Sequence, residues 1–327
     1  MSSAPGPAVV LVNWNGRRDC EGVLASIRRQ RLAPAEVVVI DNGSLDGSLE
    51  WFRAQPDVVV IANPTNAGFA RAANQGVAAT SADLVLLCNL DVRLHEGFLE
   101  AAVARMATSP DTGSVGGLLL SEADPGVVDS AGHVLHRSGW VANRCQGQAA
   151  RGMEVAEVFG VTAAAALYRR EMLEDVALDG EVFCEAFFAY LEDVDLDWRA
   201  RWRGWRSFFE PSALATHRRG GSGLHRSRLI ERHVLANRAH LWLRNAPTCW
   251  LVGWPAVSAS GLVLLRTGLA ARRHPLAALG VLDAARRMPL TLGERRRILG
   301  RRRISEAELE RWARPTPWGE LLAKHLG

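Results

Sequence analysis

Short apolar runs alternate with amphipathic segments through the first third of the chain. Strands rich in β-branched residues are predicted at Ala8–Trp14, Glu36–Asp41, Asp57–Ile61 and Asp83–Cys88. Helices are predicted at Asp19–Gln30, with Asp19 as N-cap, and at Ser48–Ala54, Gly68–Ala79 and Glu96–Ala107. Continuous apolar strands separated by helices are typical of βαβ units, so the pattern predicts an α/β fold with a mainly parallel, Rossmann-like sheet flanked by helices.

The pattern changes after this region. Gly113–Gly160 is rich in glycine and predicts loops and short strands, whereas Glu157–Tyr168 returns to strand character. The small side chains of Glu157–Tyr168 suit either the close approach of another molecule or a tightly packed strand.

A strongly helical pattern follows at Leu191–Trp205. Three apolar residues four positions apart share one stripe and are predicted to be core: Val194, Trp198 and Trp202. Asp195 and Arg199, also four apart, are predicted to form an ion pair on the helix surface. Glu192 and Asp193 fall in the first turn, where the helix dipole favours carboxylates without any further function.

Polar clusters follow the predicted strands at Asn13–Asn15, Asp41–Ser44, Asn63–Asn66 and Asn89–Asp91. Open α/β sheets bind ligands at the carboxyl ends of their strands. The sequence therefore predicts a binding site along this edge.

The composition fits a folded globular protein: 327 residues, 48% of them hydrophobic and 23% charged. The net charge of +4 is too small to imply a nucleic-acid partner. The five cysteines are odd in number and form no C-x-x-C pair, which excludes a disulfide framework and indicates a reducing compartment. The N-terminus lacks a basic region followed by a long apolar segment, so a cytoplasmic protein is expected.

The C-terminal region is basic. From Ala246 onward, 14 Arg and Lys residues face six acidic ones, a charge of about +8. The uncharged stretch Ala246–Leu265 contains Trp250 and Trp254, but its Pro, Gly, Ser and Thr residues make it only a marginal membrane span. The basic residues around this stretch are Arg244, Arg266, Arg272, Arg273, Arg286, Arg287, Arg295–Arg297 and Arg301–Arg303. This pattern predicts a helical extension at an anionic membrane interface, and a buried hairpin with a solvated basic face is the alternative.

Three features carry candidate chemistry: Asp91 at a strand end, the Glu192–Asp193 pair, and His217 in the segment THRRGGSG. A hard divalent cation prefers oxygen ligands, and an imidazole joins them when the metal resembles Mn²⁺. Asp193 would then remain as a general base.

The chain resembles the family 2 glycosyltransferases of the GT-A fold, especially bacterial rhamnosyltransferases. The matching segments, in order, are VVLVNWNGR, VVVIDNGSLDGS, NPTNAGFARAANQG, LLCNLDV, VDSAG, FFAYLEDVDLDWRARWRGW and THRRGGSG. They span about two-thirds of the chain. The resemblance implies a nucleotide-sugar site made by Val12, Asn13, Asn15, Asp41, Asn66, Gly68, Arg71, Asn89, Leu90 and Asp91.

Roles within that site also follow from the resemblance. Asp41 would accept a hydrogen bond from a pyrimidine N–H, while Gly68 would allow close backbone approach and Arg71 would supply a donor fork. Asp91 matches the last acid of the family's metal-binding D-x-D motif, and His217 matches a further metal contact. Asn89 stands where the first acid of that motif would be, which removes one negative charge from the Mg²⁺ or Mn²⁺ site.

The resemblance also implies a mechanism. Asp193 corresponds to the catalytic base and Glu192 orients the acceptor or Asp193, so a single displacement with inversion is expected. The predicted reaction transfers L-rhamnose from dTDP-rhamnose to a glycan or polyprenyl-linked acceptor, with galactofuranose or another hexose as the alternative donor sugar. A non-catalytic glycan- or membrane-binding scaffold is the other alternative. The chain lacks the Gly-rich signature of a nucleotidyltransferase near its N-terminus. It also lacks the G-x-G-x-x-G motif of a nicotinamide dehydrogenase after the first strand.

The expected organisation is a catalytic domain at 1–240, with a nucleotide-sugar half at about 1–112 and an acceptor half at about 113–240. The basic region 241–327 would attach the enzyme to the inner face of the cell membrane. No nucleic-acid partner is expected, and a homo-oligomer is compatible with the sequence.

Overall fold

The structure is a computed structural model that describes residues 6–219, 228–273 and 279–318. The chain divides into two compact units. The first comprises the residues up to His133, Asn143–Ala200 and the segment that begins at Trp205. The second comprises Val134–Ala142, Arg201–Gly204 and the C-terminal helices. All residues predicted from the sequence to form the site belong to the first unit. The last four residues of the THRRGGSG segment lie outside the described residues.

The strands are short, and most belong to the first unit. In chain order they are β1 (Ala8–Asn13), β2 (Glu36–Asp41), β3 (Val59–Ala62), β4 (Leu84–Asn89), β5 (Val92–Leu94), β6 (Thr112–Ser121), β7 (Val128–Ser130), β8 (His133–His136), β9 (Val141–Asn143), β10 (Ala156–Val158), β11 (Ala165–Arg169), β12 (Arg206–His217) and β13 (Ala313–Arg314).

The helices follow the strands in the first unit and dominate the second. In chain order they are α1 (Arg17–Arg28), α2 (Ser48–Arg53), α3 (Phe69–Ala78), α4 (Phe98–Met106), α5 (Arg170–Val176), α6 (Glu192–Trp202), α7 (Arg228–Asn245), α8 (Gly253–Arg273), α9 (Gly280–Arg286), α10 (Met288–Gly300) and α11 (Glu306–Glu310). Short 3₁₀ turns lie at Glu185–Phe187 and Thr248–Leu251.

Ten strands form one mixed sheet in the order β10-β12-β6-β11-β4-β1-β2-β3, with β5 beside β12 and β7 beside β6. The strands β4, β1, β2 and β3 run parallel, as the alternation of strands and helices predicts. β11 runs antiparallel to both β4 and β6. A separate three-stranded sheet has the order β13-β8-β9. The predicted α/β class and the predicted helical C-terminal extension are confirmed.

The continuous apolar character of β1 reflects a sheet covered on both faces. Val9 and Leu11 pack into a core shared with α1 and α4, whereas Val10 points to the opposite core, shared with α3. On that second face α3 approaches the sheet closely, because a Cβ atom at Gly76 would lie 2.2 Å from Cγ1 of Val10. This packing fixes the carboxyl ends of β1, β2 and β4, where the predicted site residues lie.

Three local predictions are wrong: the irregular character of Gly113–Gly160, the capping role of Asp19 and the surface position of the Asp195–Arg199 pair. The stretch expected to be irregular contains β6, a ten-residue strand inside the sheet. Asp19 does not cap α1, which begins at Arg17 after Gly16; its buried carboxylate accepts hydrogen bonds from Arg93, at 3.1 Å, and from Arg218. These two guanidinium groups explain why an acid is buried there.

The ion pair predicted on the surface of the helix at residues 192–202 is instead buried. Arg199 Nε donates to Oδ2 of Asp195 at 2.8 Å, and both side chains are within 2% of full burial. Arg199 also donates to the backbone carbonyls of Val176 and Val182. The pair therefore connects α6 to the end of α5 and to the loop that follows it. The predicted burial of Trp198 and Trp202 is confirmed.

The second unit buries two arginines that the sequence suggested would flank a membrane segment. Arg244 pairs with Glu294 at 2.9 Å, and Arg295 donates to the backbone carbonyls of Leu243 and Ala246. Burial lowers the pKa of Arg295. No helix in the described part of the chain combines the length and the apolar character needed to cross a bilayer.

Candidate active site

The strand register brings the predicted nucleotide-binding residues together at one edge of the sheet. Asn13, the last residue of β1, lies opposite Asp41, the last residue of β2. On the other side of β1, Val12 lies opposite Asn89, the last residue of β4. Three polar residues therefore end neighbouring strands. The register places Asn13 and Asp41 on one face of the sheet and Asn89, opposite Val12, on the other.

Asn13 and Asp41 form a buried hydrogen-bonded pair. Asn13 Nδ2 donates to Oδ2 of Asp41 at 2.5 Å and to Oγ of Ser48 at 2.8 Å. The other carboxylate oxygen of Asp41 accepts from the backbone N–H of Ser44 at 2.9 Å. Both residues are completely buried, so in this structure the pair joins the ends of β1 and β2.

Asn15 connects the loops that follow β1 and β2. Its backbone is left-handed, with φ of +53°, a conformation that asparagine tolerates better than most residues. Its N–H donates to Oγ of Ser44 at 2.9 Å, and its Oδ1 accepts from the N–H of Leu45 at 2.8 Å. The two loops therefore form one joined rim above the Asn13–Asp41 pair.

The start of α3 is built around Gly68. Its N–H donates to Oδ1 of Asn66 at 2.9 Å, and its φ of +88° with ψ of 161° is a conformation essentially restricted to glycine. A Cβ atom at this position would lie 2.6 Å from the carbonyl oxygen of Phe188 and from its ring. In this structure the close neighbour that requires glycine is thus Phe188. Arg71, one turn further on, is exposed and 3.9 Å from Glu185.

The two predicted metal ligands lie side by side. His217 is the last residue of β12 and pairs with Val92 at the start of β5, directly after Asp91. Nε2 of His217 lies 3.4 Å from Oδ1 of Asp91, and both side chains keep a little over a tenth of their surface exposed. Leu90, between Asn89 and Asp91, is buried in the core and fixes this segment.

Asp129 orients the ring of His217. Its Oδ2 lies 2.8 Å from Nδ1 of the ring, and its Oδ1 accepts from Nε of Arg219. Burial disfavours the charged ring, but hydrogen bonds to Asp129 and Asp91 outweigh that cost and raise the pKa of His217 to about 9.

This arrangement suits a divalent cation. A carboxylate on the second ring nitrogen is the usual support for a metal-binding histidine, and it directs Nε2 towards Asp91. Asp91 and His217 therefore provide one oxygen and one nitrogen donor that converge, and a bound diphosphate would supply further oxygens. The role of Asp129 was missed in the sequence, although it belongs to the VDSAG segment.

The two predicted catalytic acids have different surroundings at the start of α6. Asp193 retains 16% exposure and accepts at Oδ2 from the N–H of Ala163, at 3.2 Å. Glu192 is buried, and within the described chain its Oε2 has no hydrogen-bond partner. Burial and the adjacent charge of Asp193 raise the pKa of Glu192 well above its usual range. Asp193 is therefore the more accessible of the two carboxyl groups.

Two further residues contact the Asp193 region and were missed in the sequence. His133 places Nε2 4.0 Å from Oδ2 of Asp193 and Nδ1 2.7 Å from Oδ2 of Asp197. The spacing of four between Asp193 and Asp197 indicates a shared helix face. Nothing in the local sequence signals that His133, which follows the VDSAG segment, reaches that face.

Comparisons with known proteins agree with this geometry. The sequence pattern described as "Glycosyl transferase family 2" matches residues 8–177, more than half of the chain. An N-acetylglucosaminyl-diphospho-decaprenol L-rhamnosyltransferase of Mycobacterium tuberculosis is 28% identical over 307 residues, covering 82% of this chain and 96% of that protein. A pre-mycofactocin glycosyltransferase of the same organism is 30% identical over 211 residues, which covers 64% of this chain but only 42% of the relative.

Solved structures share the fold at low sequence identity. The mannosyltransferase PcManGT from Pyrobaculum calidifontis, in complex with GDP-Man and Mn²⁺, has a TM-score of 0.54 at 18% identity, covering 95% of this chain and 86% of that one. GalNAc-T7 with UDP, GalNAc and Mn²⁺ has a TM-score of 0.55 at 14% identity, and the match spans 75% of this chain and about half (51%) of that protein. Together with the strand-edge site, these likenesses establish that the chain belongs to glycosyl transferase family 2 and is a glycosyltransferase with the GT-A fold.

Proposed function

We propose that this enzyme transfers L-rhamnose from dTDP-rhamnose to a polyprenyl-linked glycan acceptor, with inversion at the anomeric carbon. The observation that carries the proposal is the convergence of Asp91 and His217 at the strand edge that also holds Asn13 and Asp41. The likeness to an L-rhamnosyltransferase whose name specifies a diphospho-decaprenol acceptor supports both the sugar and the lipid.

In this proposal the nucleotide lies across the carboxyl ends of β1, β2 and β4. Asp41 accepts a hydrogen bond from the base, and the loop at Val12–Asn15 borders the base. The phosphate side is bordered by Asn66, Gly68 and Arg71. Asn89 and Leu90 directly precede Asp91 and belong to the same nucleotide-sugar site. A divalent cation held by Asp91 and His217 would supply positive charge that stabilises the departing diphosphate.

Asp193 acts as the general base. An acceptor hydroxyl is a poor nucleophile, and a carboxylate within about 3 Å can take its proton as attack begins. The N–H of Ala163 donates to Oδ2 of Asp193 at 3.2 Å and the N–H of Val194 donates to Oδ1 at 2.8 Å. Each oxygen keeps a second lone pair for the acceptor. Glu192, whose pKa burial raises well above the usual range, positions the acceptor or Asp193 and does not take the proton.

We further propose that residues 1–240 perform the chemistry and that 241–327 attach the enzyme to the inner face of the cell membrane. Apolar side chains are exposed in the second unit, including Val252 at 69%, Trp254 at 74% and Val257 at 58%. Leu282, Leu290 and Leu292 are exposed on the following helices. Exposed arginines lie on the same helices, among them Arg286 and Arg296. Exposed apolar groups next to arginines favour an anionic bilayer surface.

A donor panel tests the proposed reaction. dTDP-rhamnose, UDP-galactofuranose, UDP-glucose, UDP-N-acetylglucosamine and GDP-mannose are each added to the full-length enzyme with Mn²⁺ or Mg²⁺, and thermal stabilisation and sugar transfer are measured. Stabilisation and transfer by dTDP-rhamnose alone support the proposal. Transfer from UDP-galactofuranose would replace the donor assignment with the alternative one. The absence of transfer from every donor, in the presence of polyprenyl-diphosphate acceptors, would contradict the function.

A further inference from the structure

The imidazole of His133 lies between two carboxylates of α6. Nδ1 is 2.7 Å from Oδ2 of Asp197, and Nε2 is 4.0 Å from Oδ2 of Asp193. The side chains of His133 and Asp197 are almost completely buried, at 5% and 2% exposure, whereas Asp193 reaches the surface. One ring therefore links a buried acid to the acid that faces the acceptor.

Tight packing sets this arrangement. The backbone N–H of His133 donates to the carbonyl of Gly160 at 2.8 Å, and the N–H of Val161 donates to Oδ1 of Asp197 at 3.1 Å. A Cβ atom at Gly160 would lie 1.8 Å from Oδ2 of Asp197, so any other residue there would displace the carboxylate. The positions of the histidine and of its buried partner are thus fixed by the same short segment.

A basic ring between Asp193 and Asp197 reduces the repulsion between their carboxylates. Asp193 and Asp197 are four residues apart on one helix face, where two negative charges repel each other. Burial alone would lower the pKa of His133, but Asp197 and then Asp193 outweigh it and raise that pKa. Burial raises the pKa of Asp197 to about 6, despite the opposing effect of His133, so Asp197 is still ionised at neutral pH. A protonated ring would thus lie between the two carboxylates.

We propose that His133, held by Asp197, is a positioning residue whose protonated ring keeps the carboxylate of Asp193 oriented towards the acceptor. This inference rests on the proposed role of Asp193 as base. The general principle is that a catalytic base is often oriented and tuned by a third group. Here the third group is a buried imidazole that Asp197 holds beside the base.

Other titratable groups lie near His133, Asp193 and Asp197. Glu192 lies beside Asp193, and burial raises its pKa well above the usual range. Tyr168 on β11 is buried, and burial with the charges of Asp197, Asp193 and Glu192 raises its pKa well above the usual range, so it stays neutral. Asp195 is neutralised by its buried pair with Arg199. In the part of the chain that the structure describes, the basic side chain beside Asp193 is His133, with Nε2 4.0 Å from Oδ2.

The test compares His133→Gln and Asp197→Asn with the wild-type enzyme. A matched control is His136→Gln, because His136 lies three residues further along, is also buried, and holds the carbonyl of Pro315 at 2.8 Å. Folding is checked by circular dichroism and thermal melting. Donor affinity, kcat and the pH dependence of kcat are then measured.

Replacing the ring by a neutral amide removes the charged group beside the base, so the acidic limb of the kcat profile should move to higher pH by about one unit in His133→Gln. At neutral pH kcat should fall about 10- to 100-fold because the carboxylate loses its orientation, a smaller loss than the roughly 10²–10⁴-fold expected when the base itself is removed. Donor affinity should stay within about twofold. Asp197→Asn should shift the limb in the same direction. His136→Gln should leave the limb unchanged.

A ¹⁵N-histidine NMR spectrum gives a readout that needs no activity. The His133 signal, assigned by its loss in His133→Gln, should show both ring nitrogens protonated at pH 7 in the wild type. A neutral ring in the wild type would overturn the proposal, even if His133→Gln failed to fold. An unmoved acidic limb and normal kcat in folded His133→Gln would also overturn it.

Asp193→Asn, assayed in parallel, separates this inference from the proposed function. If Asp193→Asn is inactive while His133→Gln behaves as wild type, only the role of His133 is wrong. If Asp193→Asn keeps wild-type turnover, the assignment of the base is wrong, and the role of His133 falls with it.

Discussion

Nε2 of His217 lies 3.4 Å from Oδ1 of Asp91 because the end of β12 pairs with the start of β5. β5 begins one residue after Asp91, so the antiparallel ladder itself sets the separation of the two donors. The relationship is therefore built into the backbone of the sheet and does not depend on a flexible loop.

We expect Asp91→Ala and His217→Ala each to weaken metal-dependent donor binding by at least tenfold, because each removes one of two protein donors to the cation. Calorimetric titration of donor into enzyme with and without Mn²⁺ measures this loss. His95→Ala is the matched control, since His95 follows the same short strand and contacts Thr216 on β12 at 3.3 Å. Normal donor binding in both site variants, with activity unaffected by EDTA, would contradict the metal assignment.

Gly68→Ala should destabilise the fold and weaken donor binding. The substitution combines a backbone conformation that alanine rarely adopts with a Cβ atom 2.6 Å from the Phe188 carbonyl, and together these cost about 2–4 kcal/mol. Gly47→Ala is the control, because Gly47 has φ of +81° but nothing within 4 Å of the added Cβ. Thermal unfolding should show a clearly larger loss for Gly68→Ala. Equal losses would mean that contact with Phe188 does not matter.

Glu192→Gln should make stability less sensitive to pH. Burial in the folded protein raises the pKa of Glu192 above its ordinary value of 4.5. The folded protein therefore binds this proton more tightly than the unfolded protein does, and the free energy of unfolding falls as pH rises above that value. The amide mimics the neutral acid and removes this loss. Urea unfolding from pH 4 to pH 8 should therefore show a growing advantage for the variant, with turnover within about tenfold of wild type. An advantage that shrinks with pH would show that Glu192 is ionised in the folded enzyme.

Membrane attachment predicts a loss of vesicle binding in Trp254→Ser combined with Val257→Ser. Each substitution removes an exposed apolar side chain that would be buried in the bilayer, and together they should lower binding at least tenfold. Flotation with phosphatidylglycerol vesicles measures binding, and phosphatidylcholine vesicles show the contribution of charge. Val59→Ser, at an exposed apolar position of the first unit, should bind as the wild type does. Unchanged flotation of the double variant would exclude this surface.

Local patterns were sufficient to predict the first part of the fold. From β1 to α4 each strand and helix except the three-residue strand β5, which was not predicted, lies within a few residues of its predicted range, because β-branched runs and amphipathic segments alternate there. β6 was missed because its Gly and Ser residues resemble a loop, and only the neighbouring strands reveal it as part of the sheet.

Contacts between distant segments were harder to predict. The burial of Asp19 depends on Arg93 and Arg218, which are far away in sequence. The roles of Asp129 and His133 likewise depend on partners from other strands and helices. Residue type and spacing identified Asp91, Asp193 and His217 as candidates, but not the side chains that orient them.

The central claim is that Asp193 is the general base of the transfer. Asp193→Asn keeps the shape of the side chain but removes the proton acceptor, so donor affinity should stay close to wild type. The turnover number for transfer from dTDP-rhamnose, measured on the folded variant, should fall by about 10²–10⁴. Turnover close to the wild-type value would contradict the account, because asparagine at the start of a helix replaces only the structural contribution of the acid.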